Sequence, residues 1–305
     1  MTASAVPQAG GDGEPTVVEV GRAVARVGLL PLLRDSLVRF REGDGFSHSR
    51  ALALQLALSI VPLVIAAVGL SGALHAESVG DVVRHTVLSL TPGAEDDLLR
   101  LAVQDALAQQ EGEDRATTAL VLGLLTAVVA LTTAMGQVER GANRLYGISR
   151  DRPTVPKYAR ALVLAVVAGL PMLTGLTLIV AGSAAADAVQ DVYGIDRRVL
   201  TVLRWPTGLA LSLGAIILLM RHAPHRRRPP GWSWLAPAAA TSLVLWLLFT
   251  GLLALYVTRS GAISAVYGQL TSVMALLIWS YLTSMALLLG LAMTAELEAA
   301  GAATP

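Results

Sequence analysis

The sequence predicts an all-α fold: a polytopic membrane bundle of six transmembrane helices, with an N-terminal amphipathic interfacial helix and a helical extracytoplasmic loop. Three observations predict it. Of 305 residues, 54% are hydrophobic and only 15% charged, with a mean hydropathy of +0.62, where ordinary soluble domains carry about 25% charged residues. Residues 270–293 contain no charge at all, and a helix of that length, rising about 1.5 Å per residue, crosses a hydrocarbon core of roughly 30 Å. Similar uncharged stretches recur along the chain, and Lys and Arg gather in alternate connections between them. Cysteine is absent, which excludes disulfides, thiolate catalysis and Cys-ligated metals. A net charge of +1 gives no global attraction to nucleic acid. Lys157 is the only lysine, a bias that reads as the base composition of a GC-rich bacterial genome.

Residues 1–15 are Ala, Gly, Pro and acids without periodicity and are expected to be a disordered tail. No basic start followed by an apolar core occurs in the first 30 residues, so no cleavable signal peptide is expected. From 16 to 41 the pattern changes. Val20, Val24, Val27, Leu30, Leu33, Leu37 and Phe40 recur at three- and four-residue steps, interleaved with Arg22, Arg26, Arg34, Arg39 and Arg41. This spacing predicts a helix in the membrane interface with its arginines on lipid phosphates. The alternative is a helix packed on the protein's own cytoplasmic face. Pro31 is expected to bend or split it, and Gly43-Asp44-Gly45 to end it.

The predicted spans are 51–74, 117–135, 161–181, 205–220, 234–256 and 270–293. The fourth is short, so its helix is expected to extend, with Arg204 snorkelling beside Trp205 and Pro206. In the sixth, Trp279 and Tyr281 stand mid-span among Ser280, Thr283, Ser284 and Gly290, the composition of a helix packed on other helices. The connection 76–116 is the only long one. It reads as two helices broken at Thr91-Pro92-Gly93, the second amphipathic through Leu98, Leu101, Ala102 and Leu107, and is expected to cap the outer end of the bundle. Residues 299–305 form a short tail, so 16–298 is one membrane domain. Arg150-Asp-Arg-Pro153 and Arg226-Arg-Arg-Pro229 echo one another before the third and fifth spans, as two cytoplasmic loops under one charge rule would.

Six Lys and Arg precede the first span, six lie between the second and third, and four between the fourth and fifth, a split of 16 against 7 among the 23 present. By the positive-inside rule both termini are cytoplasmic.

Chemistry-bearing patterns are sparse. Of five histidines, His222 and His225 could share a helix face, but Arg226, Arg227 and Arg228 beside them disfavour a metal cation, and no carboxylate adjoins them. No phosphate loop, nucleophile elbow or HExxH pattern appears, and no metal or other cofactor is expected. No ionisable residue falls inside the six stretches as drawn, whereas ion-coupled pumps usually carry one. If the second helix runs on past Met135, Glu139, Asn143 and Tyr146 share a face, as a polar lining at the inner mouth or as caps between helices. Gln55 and Ser59 are four apart in the first span, and Pro62 frees a backbone carbonyl nearby, giving a second polar spot.

Four places together carry a resemblance. They are ALALQLALSIVPL at 51–63, with Ser59 and Pro62 as Ser-x-x-Pro; ANRLYGISRDRP at 142–153, with Asn143; Tyr267-Gly268 with Tyr256 upstream; and Trp279-x-Tyr281 leading to LLLG and Ala295-Glu296-Leu297. In this order they resemble the YihY/virulence factor BrkB family of bacterial inner-membrane proteins, formerly labelled ribonuclease BN, over most of residues 30–298. The chain departs from the family near the end of the last span, where Gly-Ala-Glu-Leu-Asn-Ala becomes Gly290-Leu-Ala292-Met-Thr294-Ala295. No mechanism resting on that family carboxylate can operate here.

The resemblance implies a multi-pass protein of the bacterial inner membrane with a role in movement of envelope lipid or solute, and not a nuclease or other enzyme. A non-transporting scaffold for envelope assembly is the alternative. The expected partners are membrane lipids, with other envelope proteins or a second copy as further candidates, and no nucleic acid. The candidate pathway or packing residues are Gln55, Ser59, Pro62, Glu139, Asn143, Tyr146, Tyr267, Gly268, Trp279 and Tyr281.

Overall fold

A computed structural model describes residues 28–73, 113–149, 151–180, 197–226, 230–260 and 266–302. The expected tail at 1–15, the beginning of the interfacial helix at 16–27, nearly all of the connection 76–116 and residues 303–305 lie outside the described residues. The described chain is helical, with no strand: α1 (Leu29–Glu42), α2 (Gly45–Ala73), α3 (Glu113–Leu145), α4 (Thr154–Val167), α5 (Gly169–Val180), α6 (Arg197–His222), α7 (Trp232–Ser260) and α8 (Thr271–Ala302), the last preceded by a 3-10 turn, Gly268–Leu270.

Among the described residues six stretches are long and apolar enough to cross a membrane: Gly45–Ala66, Leu120–Leu145, Thr154–Ile179, Val202–His222, Trp232–Arg259 and Val273–Ala300. Each predicted span has its counterpart, and the differences have local causes. The second runs ten residues past Met135 to Leu145, because Glu139, Arg140 and Arg144 stay helical while finding ionic or carbonyl partners. The third is two helices rather than one, broken at Ala168. Gly169 favours neither helix, and Pro171 cannot donate to the carbonyl four residues back. Pro31 neither bends nor interrupts α1, for it sits in the first turn, where a missing N–H breaks no bond.

The spans form a closed ring in chain order. α2 lies along α3, α3 against α4, α5 against α6, α6 against α7 and α7 against α8, while α8 returns to α2 and also meets α1 and α3. The break in the third span matters here. Its first half, α4, packs on α3, whereas its second half, α5, packs on α6 and has at most marginal contact with α3. Small residues set the close crossings: the Gly175 and Gly208 backbones meet, and a side chain at Gly290 would run into Ser242, Met220 and the Ala238 carbonyl.

Leu288, Leu291, Met293 and Leu297 of α8 are buried with Leu52, Leu145, Met220 and Leu235. Leu122, Leu125, Val129, Val163, Val244, Leu252 and Leu255 are exposed on the outside. An apolar exterior of this kind fits lipid and not water.

One pair of helices is tied by a reciprocal device. Trp279 of α8 donates its Nε1–H to Thr250 of α7 at 3.2 Å, and Trp246 of α7 donates to Thr283 of α8 at 3.2 Å. The sequence carries the signal as Trp-x-x-x-Thr in both helices, WLLFT and WSYLT. Each indole buries its apolar body and satisfies its one donor.

Candidate functional site

The end of the bundle that holds α1, the α3–α4 and α6–α7 connections and the last turns of α8 is built from charge. Its framework begins at the end of α3. Gly147 has φ 69, its N–H bonds Arg144 O at 3.1 Å, and the Ile148 N–H bonds Asn143 O at 2.8 Å. These two bonds are a Schellman ending, which wants glycine at the left-handed position. The reversal carries Asp151 and Arg152 back under the helix that they have just left.

Asn143 is fully buried and bridges two connections. Its Nδ2 donates to Asp151 Oδ1 at 2.9 Å, and its Oδ1 accepts the His225 backbone N–H at 2.7 Å. Asp151 also takes Lys157 Nζ at 3.2 Å and faces Arg140 at 3.8 Å. Burial alone would raise its carboxyl, but hydrogen bonds from Asn143 and Lys157 and the charges of Lys157 and Arg144 outweigh that and hold it below the ordinary aspartate value.

Arg152 reaches Glu139 Oε2 at 3.0 Å and donates to Ala223 O at 3.2 Å and Pro224 O at 3.1 Å. Arg160 donates to His222 O at 3.1 Å. Two arginines thus cap the carbonyl end of α6, where the helix dipole favours cations. Glu139 is the costly member. It is 1% exposed, its contact with Arg152 is ionic but lies outside hydrogen-bond geometry, and among the described residues neither of its oxygens has a hydrogen-bond partner. A buried carboxylate with a single ionic partner does not recover its desolvation cost.

The third part centres on Tyr146. Its hydroxyl donates to Glu298 Oε1 at 2.7 Å and accepts from Arg226 Nη1 at 2.9 Å. Arg226 also pairs with Glu298, donates to Met220 O at 2.6 Å and lies 4.9 Å from the centre of the Tyr146 ring. Burial first, then the Glu298 charge, pushes the Tyr146 phenol well above its ordinary value. Beside this, Arg39 of α1 pairs with Glu296 of α8 and donates to Leu145 O at 3.1 Å. Arg39, expected on lipid phosphate, is therefore turned into the protein.

Of the sequence-predicted residues, Glu139, Asn143 and Tyr146 meet in this network. The others do not. Ser59 is buried and donates to Leu56 O within its own helix at 2.7 Å, while Gln55 and Pro62 are half-buried along α2. Tyr267 and Gly268 are exposed at the entry to α8. Trp279 belongs to the Trp–Thr tie, and Tyr281, two residues from both Trp279 and Thr283, is half-buried and takes no part in it. Asp151, Arg152, Lys157, Arg226, Glu296 and Glu298 are the members that sequence reasoning missed. The signal was present in the acids at 151, 296 and 298, which fall on the same side of the membrane as the basic connections. Among the described residues no group of three or more His, Asp or Glu could hold a metal.

Comparison with known proteins agrees with this architecture. The family described as virulence factor BrkB matches residues 36–305. The "ribonuclease-like" protein YfkH of Bacillus subtilis is 23% identical over 264 residues, covering 86% of this chain and 93% of its own. A UPF0761 membrane protein of Alteromonas mediterranea is 26% identical over 275 residues, covering 88% and 89%. Another, of Rhodospirillum rubrum, is 31% identical over 205 residues, covering 65% of this chain and 44% of its own. No solved structure matches the chain. The chain is a multi-pass membrane protein and belongs to the virulence factor BrkB family.

Proposed function

We propose that this protein moves an amphipathic envelope solute, most simply a phospholipid, across the bacterial inner membrane, and that the charged network is its inner gate. The positive-inside count supports a cytoplasmic orientation for the network and for both termini. The observation that carries the reading is Glu139, a buried carboxylate in a spanning helix whose single ionic partner among the described residues, Arg152, comes from a different segment. Intramembrane charge is expensive and is retained where it marks a path or a switch. The network crosses the seams between α3, α6, α8 and two connections through contacts that can separate together. At the other end, α5 leans on α6 and leaves α3 without that neighbour among the described helices, a geometry suited to entry from the lipid side. A bundle that passes headgroups needs a polar groove and no metal. The reading is non-enzymatic, and chelator-sensitive RNA cleavage by the pure protein would overturn it.

The test is purified protein in liposomes containing a fluorescent phospholipid, with a membrane-impermeant quencher outside. The proposal expects quenching beyond the half that belongs to the outer leaflet, and faster quenching for Glu139→Ala and Asn143→Ala at equal folded protein, because each removes a contact that holds the gate closed. Quenching that stops at half, with folded protein in the vesicles, would favour the non-transporting envelope scaffold.

A further inference from the structure

The geometry of α1 points to a lipid-binding surface on the cytoplasmic leaflet, selective for anionic headgroups. Placed at 100° per residue, its side chains fall into three sectors. One holds Leu32, Ser36, Arg39 and Phe40, all buried, and Arg39 bolts this sector to Glu296 of α8 and to the Leu145 carbonyl at the end of α3. The second holds Leu33, Leu37 and Leu30, which are 36%, 56% and 80% exposed, flanked by exposed Arg41 and Arg34. The third edge carries the exposed acids Asp35 and Glu42. The helix is therefore not merely amphipathic. Its positive charges border the exposed leucines, and its negative charges are set apart from them.

Position fixes what covers the leucines. Only Gly43 and Asp44 separate α1 from α2, and Asp44 takes φ 54 in that turn. The first spanning stretch begins at Gly45, so α1 sits where the hydrocarbon core ends. Phe40 and Phe46 pack edge to face across the turn, centroids 5.0 Å apart, with Phe46 half exposed. A rigidly bolted helix at that depth, with leucines out and arginines beside them, matches an interface rich in acidic lipid. Acids on the far edge avoid the lipid phosphates. The inference rests on the orientation proposed above and not on lipid movement.

The absence of cysteine makes the test direct. Leu37→Cys and, as control, Asp35→Cys carry an environment-sensitive fluorophore in the full-length protein, reconstituted in equal parts phosphatidylcholine and phosphatidylglycerol. Spin-labelled lipid should quench the label at 37 at least about twofold more than that at 35, and aqueous iodide should show the reverse order. Spin-labelled phosphatidylglycerol should quench 37 more than spin-labelled phosphatidylcholine. Arg34→Gln combined with Arg41→Gln should cut that preference by about fivefold per arginine. Iodide reaching 37 as readily as 35 would overturn the proposal. So would shielding from both quenchers, which would mean that protein covers the leucines. Equal quenching by the two lipids would remove the anionic selectivity. Labelled-lipid quenching reads both leaflets, so an inverted orientation would leave these signals intact and would fail separately.

Discussion

At the scale of single residues, the arrangement turns on carboxylates placed under one end of the bundle. Glu139 and Arg152 are 1% and 10% exposed in their side chains. Removing Glu139 alone as alanine should cost about 3–5 kcal/mol in denaturant unfolding, because Arg152 loses its charge partner while buried. Replacing both by apolar residues of similar volume should cost far less, and equal losses for single and double variants would show that the pair is not coupled. Asp151 gives a pH signature. Its folded-state value lies below the ordinary value, so its contribution is present above about pH 4 and is lost as pH falls through the lowered value. Asp151→Asn should therefore flatten the fall in thermal midpoint between about pH 5 and pH 3, which a melting series in detergent would check. Glu139, Asn143 and Tyr146 could be read as one face from their steps of four and three. Their partners could not, because Arg152 and Arg226 had an adequate explanation in topology, and only the folded connections reveal that the same arginines are spent on carboxylates and helix ends.

At the scale of elements, hydropathy located every span, and the errors lie where charge or glycine interrupted it. Residues 136–145 carry Glu139, Arg140 and Arg144, which a hydropathy reading treats as the end of a span although the helix continues. Gly169 and Pro171 announced the break in the third span, but a continuous apolar run hid it. The tie between α7 and α8 was not read from the sequence, although two copies of Trp-x-x-x-Thr carry its signal. Its function is to fix two helices that have little hydrophobic reason to associate in lipid. Trp246→Phe and Trp279→Phe should each cost about 0.6 kcal/mol, at most roughly 1.7, in unfolding from mixed micelles. No loss in either variant would mean that the indoles contribute only packing.

At the scale of the whole molecule, the ring of spans is held by different means at its two ends. Neutral contacts and close glycine crossings join α2 to α3, α5 to α6 and α7 to α8, while carboxylate–arginine contacts close the end that holds α1 and the last turns of α8. Charge contacts of this kind are strong when closed and tolerate water when open, as a gate requires. If the network is the gate proposed above, this end must open for lipid to pass. The most direct measurement uses Arg226→Cys/Glu298→Cys, bridged by a short reducible crosslinker in the otherwise cysteine-free chain, with lipid movement followed by quenching in liposomes. Bridged protein should leave the inner-leaflet lipid unquenched, and reduction should restore its movement. Bridged protein that moves lipid as fast as the reduced form would contradict it.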